Sequence, residues 1–377
     1  MIIGFDGKRA TQNGTGLGNY SRYIISILAK YYPLNTYRIY TPKKQKNFLV
    51  NRISIGDNCK LLEPRKGLLN QLSSLWRSCF VSKELQADKV DLFVGLSNEL
   101  PLGLKKRGIS SIVVIHDLIF IRYPEFYKAI DCWIYKRKFK SACLNSDKII
   151  AVSECTKRDI VTYFGVPEHK VAVVYQACDP MFSKVLPAST LRSIVQKYAL
   201  PSKYILFVGS IEARKNLLLI AQALLLIPSD THLVAVGRRT PYADKVADFC
   251  LHNGLSDRFM FFHDVLFADL PAIYQKAEIF VYPSFFEGFG IPIIEALSSG
   301  IPVIAATGSC LEEAGGEACI YVDPKDPKVL AEKIMLLKNN PALVAEMCVR
   351  GKEYIKKFAD ESIASQTMDL YCEVANS

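Results

Sequence analysis

Short apolar runs, rich in β-branched and aromatic residues, recur along this chain, and each closes on a turn that leads into a segment of helical length. That rhythm constrains the fold more than any single motif does. In the first half the runs are Ile2 to Phe5, Tyr37 to Tyr40, Leu92 to Val94, Ile112 to Ile115, Lys148 to Val152 and Val171 to Val174. A second series starts at Tyr204 to Val208 and continues with His232 to Val236, Arg258 to Phe262, Phe280 to Tyr282, Val303 to Ala306 and Ala318 to Val322. Strands alternating with helices build parallel sheets, and continuously apolar strands suit sheets covered on both faces. A chain of 377 residues exceeds what one core usually supports. The expected fold is therefore α/β, with two Rossmann-like, doubly wound parallel-sheet domains at 1–178 and 200–357. The proline-punctuated stretch from Gln176 to Ser202 reads as the linker.

In the second half, Ser284-Phe-Phe-Glu-Gly-Phe-Gly-Ile-Pro-Ile-Ile-Glu295 sets two carboxylates around a glycine-containing loop. Pro283, Gly288 and Gly290 end the preceding strand. Pro292 suits the start of a helix expected to run from Pro292 to Ser299, with Gly300 as its left-handed cap. Glu287 thus falls on a loop at a strand's carboxyl end, and Glu295 is expected in the helix's first turn, where free amides favour anionic partners. Each carboxylate can accept hydrogen bonds from two hydroxyls, so one can hold a ribose diol and the other a hexose. Gly288, Phe289 and Gly290 form the intervening backbone, free to approach a ligand. A solvated glutamate pair beside a turn is the commonplace alternative. Upstream, Tyr204 to Val208 runs into Gly209-Ser210, followed by Glu212-Ala-Arg214-Lys215-Asn216. Two cations and free amides beside a glycine turn can be offered to one pyrophosphate.

The first half carries Asn13-Gly-Thr-Gly-Leu-Gly-Asn19 between its first strand and a helix expected to begin near Tyr20. Gly16 and Gly18 allow backbone amides to approach a phosphate. The spacing is not that of a dinucleotide fingerprint, and no Lys-Ser/Thr pair makes a triphosphate loop. His116-Asp117 follows the strand Ile112 to Ile115, and a histidine there faces the rim where open α/β sheets bind ligands.

Charge is uneven. Residues 1–180 hold 28 Lys+Arg against 15 Asp+Glu, and the remainder hold 19 against 22, so the net +10 comes from the first half. An anionic membrane surface is a candidate partner for that half, each nearby cation being worth about 1 kcal/mol. Clusters such as Lys105-Lys106-Arg107 and Lys136-Arg137-Lys138 match no nucleic-acid motif, and no nucleic acid is expected. The start, Met-Ile-Ile-Gly-Phe-Asp, reads as a strand rather than a signal peptide, and no segment is long enough for a membrane span. Eleven scattered cysteines without zinc spacing fit reduced thiols in a cytoplasmic protein.

Taken together, these motifs resemble the family-4 retaining glycosyltransferases. Glu287-Gly-Phe-Gly followed by Glu295 is similar to that family's donor signature, Arg214-Lys215-Asn216 to its basic turn, Gly16-Leu-Gly-Asn-Tyr20 to its glycine loop and His116-Asp117 to its His-Asp segment. The loop Thr307 to Gly316 also resembles the family's donor-covering loop, with Glu312 standing where proline is frequent. The resemblance implies a GT-B fold, two domains facing a cleft, with a closing helix at 361–377 packing back on the first domain. It also implies hexosyl transfer, mannosyl transfer among the candidates, from GDP-mannose or a UDP-hexose to a saccharide or lipid-linked acceptor in surface polysaccharide assembly. On this reading Glu287, His116, Arg214 and Lys215 are catalytic, and Gly16, Gly18, Gly209, Gly288, Phe289, Gly290 and Glu295 bind substrate. No cofactor is expected and, without an Asp-x-Asp pair, no metal. A sugar-nucleotide epimerase of the same fold and a two-domain sugar-binding protein are the alternatives.

Overall fold

The computed structural model describes residues 1–42, 47–51, 53, 56–65 and 73–376. They form two compact units, Met1–Gln176 with Phe358–Ser377, and Ala177–Lys357.

The first unit holds a seven-stranded sheet of β1 (Ile2–Asp6), β2 (Thr36–Tyr40), β3 (Cys59–Leu62), β4 (Leu92–Gly95), β5 (Ser110–Ile115), β6 (Lys148–Ala151) and β7 (Val171–Val173). The order is β3-β2-β1-β4-β5-β6-β7, and every pairing is parallel. Its central strands are buried, as a sheet covered on both faces requires. The edge strand β3 was not among the expected ones. The helix Gly16–Tyr31 starts four residues before the expected position, because the short helix Lys8–Gln12 takes up the chain after β1. The last helix, Asp360–Ala375, lies against Gly16–Tyr31 and against β4 and β5. It buries Ile363, Ala364, Met368 and Tyr371 there, and Tyr23 donates a 2.8 Å hydrogen bond to Asp360 Oδ1.

The second unit holds β8 (Tyr204–Val208), β9 (His232–Val236), β10 (Phe259–Phe262), β11 (Ile279–Tyr282), β12 (Val303–Ala306) and β13 (Ile320–Val322). All six are parallel, in the order β10-β9-β8-β11-β12-β13. The stretch read as a linker is structured. It carries the helix Ala188–Lys197 and belongs to the second unit from Ala177 onward. In both sheets the winding reverses beside the first strand, between β1 and β4 in one and between β8 and β11 in the other. Open parallel sheets bind ligands at the carboxyl ends of the strands at such a reversal.

Candidate functional site

The reversal in the second unit is where the expected donor residues gather. Gly209 ends β8, the turn Ala213–Lys215 follows, and Asn216 takes a left-handed conformation (φ +58°) before the helix Leu217–Leu224. Asn216 fixes this turn, because its Nδ2 donates to the carbonyls of Pro283 (3.2 Å) and Pro324 (2.6 Å). The Phe285 amide donates to the Arg214 carbonyl at 2.9 Å. The loop after β8 is thereby stitched to the loop after β11.

Glu287 lies between the two cations. Its Oε2 is 2.7 Å from Arg214 Nη1 and its Oε1 is 2.7 Å from Lys215 Nζ, with the three side chains only 12–14% exposed. Tyr282, the last residue of β11, donates to Oε1 at 3.1 Å and itself accepts from Lys215 Nζ at 2.5 Å. Burial alone would raise the Glu287 pKa, but Arg214 and Lys215 overcome it and hold the group down at about 2. Burial lowers the Lys215 pKa against the pull of Glu287, and Arg214 lowers it further. Arg214 also has Glu212 Oε2 at 3.4 Å, on a more exposed side chain, so an anionic ligand would compete with these carboxylates for Arg214 and Lys215.

The loop beyond Glu287 is held tightly. Gly290 has φ +144°, and a Cβ there would meet Ala314 at 3.0 Å. Gly288 precedes the buried Phe289, whose carbonyl accepts from the Cys310 thiol at 2.8 Å, as does the Glu287 carbonyl at 3.0 Å. A Cβ on Gly209 would press on the Lys215 stem at 3.3 Å. Glu312, in the short helix Leu311–Gly315 that takes up part of the expected loop after β12, accepts from the Thr307 hydroxyl and from the Gly308 amide at 3.2 Å.

Glu295 is placed differently from the expectation. The helix runs Ile291–Ser298, one residue earlier than predicted, so Glu295 sits in its second turn, beyond the free amides of the first. Its Oε2 accepts from Tyr274 at 2.8 Å rather than joining the Glu287 cluster. Burial lifts its pKa; the Tyr274 hydrogen bond opposes this, the charge of Asp179 adds to it, and the group comes to about 7.

Gly16, Gly18 and His116 belong to the first unit. Gly16 opens the helix Gly16–Tyr31 onto open space, whereas a Cβ on Gly18 would fall 1.8 Å from the Asn13 carbonyl oxygen. The loop's shape is held by buried Arg22, which donates to the carbonyls of Ala10 and Asn13, both at 2.8 Å. Tyr20, from the same helix, meets the His116 ring edge-on at 4.7 Å. His116 is buried. Its Nε2 is 2.9 Å from the Leu96 carbonyl, its Nδ1 lies 3.2 Å from Gln176 Nε2, and burial lowers its pKa to about 4. It is therefore a neutral imidazole with both nitrogens engaged inside its own unit, and can reach a sugar only by exchanging one of these contacts. Ser153 caps the helix Glu154–Phe164, accepting from the Thr156 amide at 3.0 Å. The guanidinium of Arg122, in the segment after His116, grips buried Asp159 at 2.6–2.9 Å.

Sequence reasoning did not single out Tyr282, Tyr274, Asn216, Cys310 or Arg22. Asn216 and Cys310 stood inside quoted motifs and Tyr282 at the end of a quoted strand, but none was given a role. Among the described residues, no group of three or more His, Cys, Asp or Glu side chains is arranged to hold a metal ion.

Residues 193–358 match the family model for glycosyl transferases group 1, and residues 37–182 match that for glycosyltransferase family 4. The O-antigen chain mannosyltransferase B of Escherichia coli is 31% identical over 268 residues, covering 69% of this chain and 70% of that protein. The O-antigen chain mannosyltransferase RfbU of Salmonella typhimurium is 26% identical over 65% of each chain. The serotype-specific mannosyltransferase WbdA of Escherichia coli is 23% identical, and the match spans only 37% of its length. Among solved structures, Anabaena HepE in complex with UDP and glucose superposes with a TM-score of 0.78 at 18% identity, covering 99% of this chain and 100% of that one. Sucrose-phosphate synthase from Thermosynechococcus elongatus reaches 0.81 at 20% identity over the whole of both chains. At such identities these structures speak to the fold.

Proposed function

The chain belongs to the family-4 glycosyltransferases of GT-B fold and is a hexosyltransferase, and we propose that it moves a mannosyl residue, with retention, from a nucleoside-diphosphate sugar to a saccharide acceptor during surface polysaccharide assembly. The observation that carries this reading is the convergence of Arg214 and Lys215 on Glu287 at the reversal between β8 and β11. As the bond between the anomeric carbon and the diphosphate breaks, negative charge grows on the leaving group and positive charge on the sugar ring. Arg214 and Lys215 stabilise the first, with no metal, from a site that water barely enters. When the diphosphate takes over these cations, the Glu287 carboxylate is released to accept from the hexose hydroxyls. Glu295 holds the ribose. Gly209 and the segment Gly288-Phe289-Gly290 give the ligand close access to the backbone. In the first unit, Gly16, Gly18 and His116 shape the rim that receives the acceptor.

The mannosyl assignment is supported by the relatives' activities, and UDP in the HepE structure makes a UDP-hexose the competing donor. The decisive experiment incubates the protein with GDP-mannose and UDP-hexoses, with and without mannosylated acceptors, in the presence of a chelator. Addition of one hexosyl unit to the acceptor, seen by mass spectrometry only with GDP-mannose, is the expected result. Conversion of the donor with no acceptor present would instead identify an epimerase.

Glu295 makes binding depend on pH. Its folded pKa is about 7 against an ordinary 4.5, so the protonated form is favoured in the folded protein. The associated stability is complete below about 4.5 and is lost as pH rises through about 7. A ribose diol donates to the ionised form, so nucleoside-diphosphate affinity should increase as pH rises across about 7. Calorimetric titration of wild type and Glu295→Gln checks this. The ligand's own terminal phosphate titrates at about 6 and contributes equally to both proteins, so a pH slope unchanged in the variant would remove Glu295 from the ribose site.

The acceptor, on this reading, is carried by a lipid at the cytoplasmic face of the membrane. The first unit holds 28 Lys+Arg against 18 Asp+Glu, and the second is balanced at 19 against 19. Among the described residues no helix is long and apolar enough to cross a membrane.

A further inference from the structure

The helix Ala129–Asn145 combines two properties that a water-facing helix does not need. Its buried residues are Phe139, Ala142 and Cys143. On the opposite face stand Ile130, Trp133 and Leu144, exposed by 60%, 57% and 52%. The spacing 130, 133, 137, 140, 144 places Arg137 and Lys140 in the same outward stripe, with Lys136 at its margin. Arg137 lies over the Trp133 ring at 4.9 Å. At the far end, Lys170 Nζ donates to the Leu144 carbonyl at 3.0 Å. The helix has one acid, Asp131, two positions from Trp133 and so on the other side. The stripe from Ile130 to Leu144 is about 21 Å long at 1.5 Å per residue.

Scattered exposed apolar residues are ordinary, but three large ones aligned on one helix face and bordered by cations are not. Tryptophan with arginine and lysine is the combination that settles at the boundary between headgroups and acyl chains, with the apolar bodies entering and the cations pairing with anionic lipid. We propose that the outward face of the helix Ala129–Asn145 docks on an anionic bilayer, with Trp133, Ile130 and Leu144 inserted and Lys136, Arg137 and Lys140 on the headgroups. This rests on the reading that the acceptor is lipid-borne, and it names the surface that meets the lipid. The helix begins on the carboxyl-end side of β5 and ends on the amino-end side of β6. Ile130 and Trp133 therefore lie on the same side of the sheet as the rim bearing His116. Lys138, on the flank of the helix, pairs with Glu99 at 3.4 Å. A bilayer held here would present a headgroup-linked saccharide toward that rim.

The protein contains two tryptophans, and Trp76 is fully buried, so a change of emission on docking reports Trp133. With the full chain, vesicles of phosphatidylcholine mixed with phosphatidylglycerol should shift the emission to the blue and sediment the protein, whereas phosphatidylcholine vesicles should do neither. The double variant Ile130→Ser/Leu144→Ser and the triple variant Lys136→Glu/Arg137→Glu/Lys140→Glu should each lower the fraction bound on the order of tenfold or more. Transfer to a soluble acceptor should be unchanged in both, which separates this proposal from the transferase reading. Wild type that neither shifts nor sediments with anionic vesicles overturns the proposal, as does undiminished binding by either variant. Self-association in light scattering that Ile130→Ser/Leu144→Ser abolishes, with no response to vesicles, would make the stripe a protein interface instead.

Discussion

Glu287→Ala is expected to lower turnover by about 100-fold or more, the size of a lost transition-state contact, while leaving nucleoside-diphosphate affinity intact or higher. The two halves of this expectation have one cause. The carboxylate is the counter-ion of Arg214 and Lys215, at 2.7 Å from each. A diphosphate must replace it there, so removing it takes away a competitor for the cations. Hexose hydroxyls have no such substitute and lose their acceptor. The substitution also leaves two nearly buried cations without their carboxylate, at a cost of about 3 kcal/mol in stability. Thermal melts must therefore accompany the kinetics, and saturating nucleoside diphosphate should recover much of the loss. Glu287→Gln keeps the shape and one acceptor oxygen and should fall between wild type and alanine. Near-normal transfer by Glu287→Ala would sink the assignment.

How much of this site could be read from the chain follows from how each contact is made. Arg214, Lys215 and Glu287 were legible because each stands within a few residues of a strand's carboxyl end, and two such ends meet wherever β8 and β11 are neighbours. Tyr282 was not, since a tyrosine closing an apolar run reads as core. Only the fold reveals its hydroxyl against Glu287 and Lys215. Tyr274 lies 21 residues before Glu295, and nothing in local spacing announces that pair. Glu295 itself was displaced by a single-residue shift in where its helix begins. One residue rotates a side chain by about 100° and here moves it past the last free amide.

The first unit shows the same boundary between local and tertiary information. Its central strands were plain from continuous apolar runs, whereas β3 is a four-residue edge strand, Cys-Lys-Leu-Leu, without β-branched residues. The three-glycine loop was visible, but its division was not. Gly16 faces open space, and Gly18 is required by the Asn13 carbonyl, a contact that depends on the short helix before it. His116 was expected at the ligand rim, and the engagement of its ring nitrogens was not legible. The fold bonds both nitrogens, through Leu96 and Gln176, twenty and sixty residues away. A neutral, oriented imidazole is what remains, and it fits a positioning part more closely than proton transfer near neutral pH.

The cations admit the sharpest test, because they separate binding from positioning. Lys215→Ala is expected to weaken nucleoside-diphosphate binding by roughly 1.5–3 kcal/mol, about 10- to 150-fold, as loss of a charged hydrogen bond does. The full effect depends on Lys215 meeting the diphosphate directly. Were it only a strut for Glu287 and Tyr282, Tyr282→Phe, which removes the hydroxyl at 2.5 Å from Nζ but keeps the ammonium, would reproduce the loss. The geometry predicts that it does not: Tyr282→Phe loses hydrogen bonds to an ammonium and a carboxylate and should cost about 1.5–3 kcal/mol in folding stability, while nucleoside-diphosphate affinity stays within about twofold of wild type. Titration calorimetry with GDP and UDP on both variants distinguishes the cases. Lys215→Ala should also flatten the dependence of affinity on salt, because one of the two charges that draw the diphosphate in is gone. Unchanged affinity in Lys215→Ala would move the phosphate site away from the turn after β8, and the reading of Glu287 as the hexose acceptor would have to move with it.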